Sequence, residues 1–449
     1  MAFTLRKYQS EAVEAGVDFL LGSQKGNGIL VQPTGSGKSL VIANIAKRLN
    51  GKVVVFQPSK ELLEQNVGKY LSYGEQCEVY SASAGRKKIA KVTFATIGSV
   101  VNKPHLFKEF SYCIVDECHL VSPDKNSMYQ KFFAELNLKV LGLTATPIRN
   151  KRYSFPDPHT KCCMLDRMRP KFFSKYLYVT QIKEMVDAGY FAETSYHSFD
   201  FDSGTLRTNS TGGAYTEQSI DSAFQKNDTI EKVVRVYNGL VRKGVVKHVL
   251  IFTDSVAHAE ILAERIGCKM VSGTTKKKER SSVLSDFKKG VTKAVVNVGV
   301  LTTGFDFPEL DCLINARPTM SISLYYQIVG RAVRPHATKE KAHIIDMVGN
   351  FKKFGRVEDF VFENKGNGWM LHNGKKILTN VDVREIDDAL DEANLPAGMV
   401  IGFGKHKGTA LSKVPQGYLM YVYENFERKP WSENVFEYVE KNLLIEKES

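Results

Sequence analysis

The stretch Gly28 to Leu49, GILVQPTGSGKSLVIANIAKRL, decides how the chain is read. The apolar run Ile29-Leu30-Val31 predicts a buried strand. Pro33-Thr34-Gly35-Ser36-Gly37-Lys38-Ser39 interrupts it. Leu40, Val41, Ile45, Ala46 and Leu49 then recur at helical spacing. Strand, glycine loop and helix are the context of a phosphate-binding loop. The glycines let backbone N–H groups turn toward phosphate oxygens, and the helix N-terminus adds partial positive charge. In such a loop Lys38 reaches the β- and γ-phosphates and the Ser39 hydroxyl holds Mg²⁺. The strict pattern wants glycine at position 32, where this chain has Gln32.

Downstream, Tyr112-Cys113-Ile114-Val115 reads as a strand running into Asp116-Glu117-Cys118-His119. Two carboxylates at the end of a buried strand are costly unless they hold a metal or activate a reactant. Asp116 is therefore the candidate Mg²⁺ ligand with Ser39. Glu117 is the candidate base that orients and deprotonates an attacking water. His119 is expected to couple nucleotide state to neighbouring strands rather than to bind metal. The next strand, Val140 to Leu143, ends in Thr144-Ala145-Thr146-Pro147. Strands Val53–Phe56 and Val92–Thr96 end in Pro58-Ser59 and Thr96. Such small hydroxyl residues at helix starts suit a nucleic-acid backbone, and equally suit ordinary N-capping. Upstream, Leu5-Arg6-Lys7-Tyr8-Gln9 opens a helix, and a Gln amide there can offer a donor and an acceptor to an adenine edge. Strands alternating with helices imply a parallel sheet with functional groups at the strand carboxyl ends.

A second alternation follows without a phosphate loop. Val249–Phe252 leads to Thr253-Asp254-Ser255, Lys269–Val271 to Gly273-Thr274, and Ala294–Val298 to Thr302-Thr303-Gly304-Phe305-Asp306. Then comes Tyr326-Gln327-Ile328-Val329-Gly330-Arg331-Ala332-Val333-Arg334. Arginines three apart share a helical face, so both can point at one γ-phosphate.

As an ordered set, PTGSGKS, DECH, TATP and QIVGRAVR resemble the two-motor core of superfamily 2 helicases, over roughly residues 1–350. LRKYQ resembles that group's adenine-reading motif. QPSKELLEQ and FATIGSV resemble its strand-contacting motifs, and VLTTGFDFP its coupling motif. LRKYQ, DECH and IIDMVGNFKKFG resemble the phage UvsW-type helicases, which drive branch migration at forks and recombination intermediates. The DEAD signature of most RNA members is absent, since Cys118 and His119 stand there. The resemblance implies an α/β fold of two tandem RecA-like domains that bind ATP with Mg²⁺ between them. It implies catalytic roles for Lys38, Asp116, Glu117, Gln327, Arg331 and Arg334. Nucleotide contacts are implied for Arg6, Gln9, Pro33 to Ser39, Gly304 and Asp306, and coupling roles for His119, Thr144 and Thr146. DNA contacts are implied for Pro58, Ser59, Thr96, Thr253, Ser255, Gly273, Thr274, Thr302 and Thr303. The expected substrate is forked or four-way DNA.

The remaining sequence sets the domain expectations. Arg149 to Tyr178 reads as irregular, with eight basic residues against two acids and interleaved aromatics. Base stacking with phosphate binding fits it, with Arg149 and Arg152 as contacts, and so does a packed surface excursion. Ser203 to Gly213 is Ser/Thr/Gly-rich and reads as a hinge. The stretch FGKHKGTALSKVPQGYL, from Phe403 to Leu419, resembles a small module appended to some bacterial 3′–5′ exonucleases. The role it implies is DNA binding, and a helical cap is the alternative. The expected domains are 1–196 and 229–355 for the motors, 197–228 for the hinge, and 356–449 for a C-terminal accessory region.

Composition sets outer bounds. A chain of 449 residues exceeds what one core organises. The net charge of +13 suits a polyanionic partner without requiring one. Seven scattered cysteines offer no paired CxxC spacing, so reduced thiols and no zinc are expected. With no membrane-length apolar run and no signal peptide, a cytoplasmic protein is expected, in a host cell if phage-encoded.

Overall fold

A computed structural model describes residues 3–153, 159–210, 213–302, 304–366, 368–383, 386 and 401–440. Two compact units are present, Met1–Val383 and Arg384–Ser449. The first holds two large sheets and two small ones. The largest contains β1 (Asn27–Val31), β2 (Lys52–Phe56), β3 (Glu78–Ser81), β4 (Arg86–Lys87), β5 (Val92–Ala95), β6 (Phe110–Asp116) and β7 (Lys139–Thr144). After a hairpin of β8 (Ile148–Tyr153) and β9 (His159–Met164), it is completed by β10 (Phe173–Val179). Its order is β10-β1-β7-β6-β2-β5-β3-β4, all parallel except β3 with β4.

The second large sheet contains β11 (Glu193–Ser198), β12 (Val249–Thr253), β13 (Lys269–Val271), β14 (Ala294–Asn297), β15 (Cys312–Ala316) and β16 (Lys341–Asp346). It is parallel in the order β11-β16-β15-β12-β14-β13. The central strands are apolar throughout because helices cover both faces. Each sheet has its own core, with Leu30, Val55, Ile114 and Leu141 in one and Ile251, Val296 and Ile314 in the other. The fold class is the expected pair of RecA-like domains.

Several expected boundaries move. Residue 196 falls inside β11, which pairs with β16 in the second sheet. The chain therefore crosses between sheets before β11, through the helix Ile182–Asp187. The hinge expected at 197–228 is not where the crossing lies. Ser203–Gly213 follows the first strand of the second sheet. The helix Glu217–Lys226 buries Ile220 and Phe224 in that sheet's core. Arg149–Tyr178 is not irregular either, since it supplies β8, β9 and β10.

The region from 356 onward is also divided. β17 (Val361–Asn364) pairs antiparallel with β18 (Trp369–His372), and β19 (Val381–Asp382) pairs with β9. Gln181 bonds Phe362 through both ends of its amide, at 2.7 and 3.1 Å. This segment thus belongs to the first unit. The described part of the second unit, residues 401–440, packs Ile401, Leu411, Leu419, Val422 and Val435 into a small core of its own.

All seven cysteines are free thiols, and Cys113 and Cys118 are core residues. Among the described residues, no helix is long and apolar enough to cross a membrane.

Candidate nucleotide site

The loop after β1 leads into α2 (Lys38–Arg48), so its backbone turns at the carboxyl end of a central strand. Gly35 and Gly37 take φ of 84° and 83°, a region that side chains rarely adopt. A Cβ on Gly37 would lie 2.5 Å from Gln9 Nε2. Gln32, the departure from the strict pattern, is absorbed by the sheet. Its N–H donates to the Thr144 carbonyl at 2.9 Å and its Nε2 to Thr180 Oγ1 at 2.7 Å.

β6, separated from β1 by β7, delivers the acidic groups. Asp116 ends β6, where its Oδ2 accepts from Asn66 Nδ2 at 3.0 Å and its Oδ1 from the Glu117 N–H at 3.0 Å. Glu117 has φ 49° and ψ 50°, a strained left-handed conformation for a non-glycine residue. That backbone brings Glu117 Oε1 to 3.3 Å from Lys38 Nζ. Its other oxygen lies 3.4 Å from His119 Nδ1 and 3.5 Å from Thr144 Oγ1. His119 Nδ1 is 2.8 Å from Thr144 Oγ1, which also accepts the Thr146 N–H at 3.0 Å. The expected coupling residues are thus in contact with Glu117 through one short network.

Burial sets the charge states. It pushes the Asp116 carboxyl up, and neighbouring Glu117 adds to the rise. For Glu117 burial acts upward too, but Lys38 and His119 outweigh it and the carboxyl ends below its ordinary value. Burial lowers His119, which favours a neutral imidazole.

The second domain closes the site from the far side. Arg331 is 8% exposed, and its Nη1 donates to the Phe305 carbonyl at 2.7 Å. Burial and then Arg334 push its pKa down to about 9, so it remains a cation at neutral pH. Arg334 pairs with Asp306. A cavity of about 250 Å³ is lined on one side by Pro33, Thr34, Gly35, Gly37, Lys38, Ser39, Asp116 and Glu117. On the other side lie Gly304, Asp306, Gln327, Arg331 and Arg334.

The residues fit a nucleotide with a divalent ion. Arg331 and Arg334 each keep a buried Nε without a partner at the cavity. Ser39 and Asp116 form an all-oxygen donor set suited to a hard cation.

Sequence reasoning placed three loop contacts differently. Gln9 is buried, donates to the Ser36 carbonyl at 2.6 Å and accepts the Arg6 N–H at 2.8 Å. Its amide braces the phosphate loop instead of facing the cavity. Arg6 lies over the Tyr190 ring, 3.6 Å from its centroid. Ser36 is also turned inward, with a buried hydroxyl. Missing from the sequence reading were Tyr8, which donates to the Ser36 carbonyl at 2.9 Å, and Asn66. Tyr326 was missed as well, and its hydroxyl accepts the Thr34 N–H at 3.3 Å across the cleft. So was Lys339, whose Nζ donates to the carbonyls of Pro308, Leu310 and Ala332 at 2.9, 3.0 and 2.8 Å. Tyr8 and Tyr326 adjoin quoted motifs, so sequence proximity was the available signal. Lys339 had none.

The expected DNA contacts sit at carboxyl ends of both sheets, and most of their hydroxyls have local work. Ser59, beside Pro58, and Ser255 cap their helices by accepting from Leu62 N and His258 N at 3.3 and 3.2 Å. Thr96 Oγ1 lies 3.0 Å from Ser81 Oγ and 2.8 Å from Ser99 Oγ. Thr253 donates to Asp254, Thr302 to the Gly299 carbonyl, and Thr274, beside Gly273, meets Ser272. Arg149 and Arg152 lie on β8, and Arg149 Nη1 donates to the His119 carbonyl at 3.2 Å. Thr303 lies outside the described residues.

Comparison with known proteins agrees with this geometry. Residues 2–149 match the family described as type III restriction enzyme, res subunit, and residues 226–336 the helicase conserved C-terminal domain. The chain is 25% identical to the Saccharomyces cerevisiae protein IRC3, covering 77% of this chain and 51% of that one. It is 28% identical to a 51.5 kDa protein of a Lactococcus phage, covering 73% and 67%. It is 26% identical to the DNA 3′–5′ helicase XPB of Kineococcus radiotolerans, covering 78% and 61%. The chain thus spans between about half and two thirds of the length of these relatives. In fold it matches the DNA-bound type ISP restriction-modification enzyme LlaBIII at a TM-score of 0.56 and 16% identity, covering 87% of this chain and 29% of that one. Motif order, paired RecA-like sheets and both helicase-domain matches agree: the chain belongs to the superfamily 2 helicases.

Proposed function

We propose that the chain is an ATP-driven DNA translocase and helicase that acts on branched DNA, in phage recombination and repair. The observation that carries the motor reading is the two-sided cavity, with Lys38 and Glu117 facing Arg331 and Arg334. A Mg²⁺ ion held there would supply positive charge against the charge that develops on the phosphates. Ser39 and Asp116 would hold it. Lys38 would bind the phosphates, Glu117 would orient and deprotonate water, and Arg331 and Arg334 would stabilise the transferring group's charge. Because the two halves belong to different domains, filling the cavity favours closure and its release favours opening. Residues at the strand ends, among them Ser59, Thr96, Thr253 and Thr302, would grip a DNA backbone alternately through that cycle.

DNA as substrate is supported by the relatives named as DNA helicases, and a phage setting by the Lactococcus phage protein. The branched substrate is supported by the UvsW-like motifs LRKYQ and IIDMVGNFKKFG. The test is ATP hydrolysis at one fixed salt concentration with single-stranded, duplex, forked and four-way DNA, and with RNA. Strongest stimulation by forked or four-way DNA is expected. Equal stimulation by plain duplex would replace branch migration with a duplex translocase, and stimulation by RNA alone would overturn the DNA assignment.

A further inference from the structure

The hairpin of β8 and β9 carries a charge arrangement that its own packing does not need. In its register Lys151 lies directly opposite Lys161, and Tyr153 opposite His159. Side chains two apart on a strand share a face, so these four lie on one side of the hairpin. Like charges directly opposite one another are destabilising. Neither strand contains an acidic residue that could offset them. On β19, Asp382 stands opposite Lys161 and offers it one carboxylate, while the residue opposite Lys151 is a second lysine. Lys151 also donates to the Arg169 carbonyl, which brings Arg169 beside the pair.

The same face offers a flat ring. Tyr153 stacks on His159 with centroids 5.4 Å apart and planes 11° apart. The ammoniums of Lys151 and Lys161 lie 5.1 and 5.9 Å from the Tyr153 centroid. Two cations gathered around a half-exposed aromatic ring match phosphates next to an unstacked base. The root of the hairpin is tied to both motors. β8 follows the Thr144-to-Pro147 turn of the first. Asn150 Nδ2 donates to the Met320 carbonyl of the second at 3.2 Å, and Ser323 donates to the Ile148 carbonyl at 3.4 Å. Ser323 lies on the helix Ile322–Val329, which leads to Arg331.

We infer that this face of the hairpin binds single-stranded DNA, with Lys151 and Lys161 on two neighbouring phosphates and Tyr153 stacked on the adjoining base. The inference rests on the DNA-motor reading and adds a contact outside the strand-end motifs. With its root held by both domains, the contact would move as they close. It would hold an unpaired strand where the duplex divides.

The test uses the full chain and two probes, a single-stranded oligodeoxynucleotide and a blunt duplex of the same length, titrated across a salt series. The Lys151→Gln/Lys161→Gln double variant should lose about 1.4 from the magnitude of the log–log salt slope on the single strand, roughly 0.7 per phosphate contact. The Tyr153→Ala variant should bind the single strand about ten-fold more weakly at unchanged slope, and bind the duplex as wild type does. Thermal unfolding midpoints check folding. If the double variant unfolds early, Lys161→Gln alone should show half the slope change. Wild-type slope and affinity in all folded variants would overturn the inference and leave the motor reading standing. A wild-type protein that binds neither probe would overturn both.

Discussion

Lys38 Nζ lies 3.3 Å from Glu117 Oε1, so the loop cation and the candidate base meet directly although 78 residues separate them in the chain. β1 and β6 flank β7 in the sheet, and their carboxyl ends place the two side chains in one cleft. The contact keeps Glu117 ionised despite its burial. The same residue carries a left-handed backbone that a non-glycine residue adopts at a cost.

Glu117→Gln should therefore lower ATP turnover by about 10²–10⁴-fold, the ordinary worth of a positioned general base. Nucleotide affinity should stay within a few-fold of wild type, because phosphate contacts come from Lys38 and the loop. Equilibrium titration with a fluorescent nucleotide and steady-state hydrolysis together check both halves. A variant that still turns over at the wild-type rate would remove Glu117 from the reaction.

Tyr326 links the helix that leads to Arg331 to the phosphate loop, through a single hydroxyl that accepts the Thr34 N–H. Tyr326→Phe leaves that buried N–H without its partner and keeps the ring. One neutral hydrogen bond is worth about 1 kcal/mol, so nucleotide affinity should fall about five-fold. Isothermal titration with a non-hydrolysable ATP analogue measures it. No change would mean that Thr34 finds another acceptor.

Lys339 is a further pin. Its ammonium donates to three carbonyls that join the Pro308-to-Leu310 segment to Ala332, the residue after Arg331. Lys339→Met leaves buried acceptors unpaired at about 1–3 kcal/mol. It should lower the thermal midpoint and reduce kcat more than it raises KM, because Arg331 would be less well placed. A lowered midpoint with wild-type kcat would confine Lys339 to a structural role.

The sequence disclosed those parts of the site where chemistry and a buried strand coincide. Ile29–Val31, Cys113–Val115 and Leu141–Leu143 are short apolar runs, and each ends in a polar group that a core strand could not otherwise tolerate. It was silent where strands are polar. β11 (ETSYHS) and β8 (IRNKRY) are largely half-buried or exposed, so neither produces an apolar run or a clean alternation. That is why a boundary expected at residue 196 falls inside β11, and why the hairpin reads as irregular in sequence. Long-range partners such as Asn66 for Asp116 leave no local pattern at all. Gln9 shows the opposite limit. Its position was legible, but its amide is spent on the Ser36 carbonyl and the Arg6 N–H.

A single ATP-hydrolysing site built from both domains is tested most directly by steady-state ATP hydrolysis with saturating single-stranded DNA, comparing wild type with Lys38→Ala and Arg331→Ala. Stimulated hydrolysis is expected of wild type and none measurable of Lys38→Ala. A fall of roughly 10³-fold is expected with Arg331→Ala, the scale of a lost arginine finger. Undiminished hydrolysis by either folded variant would contradict a shared site, the first by moving the site away from the loop and the second by confining it to one domain.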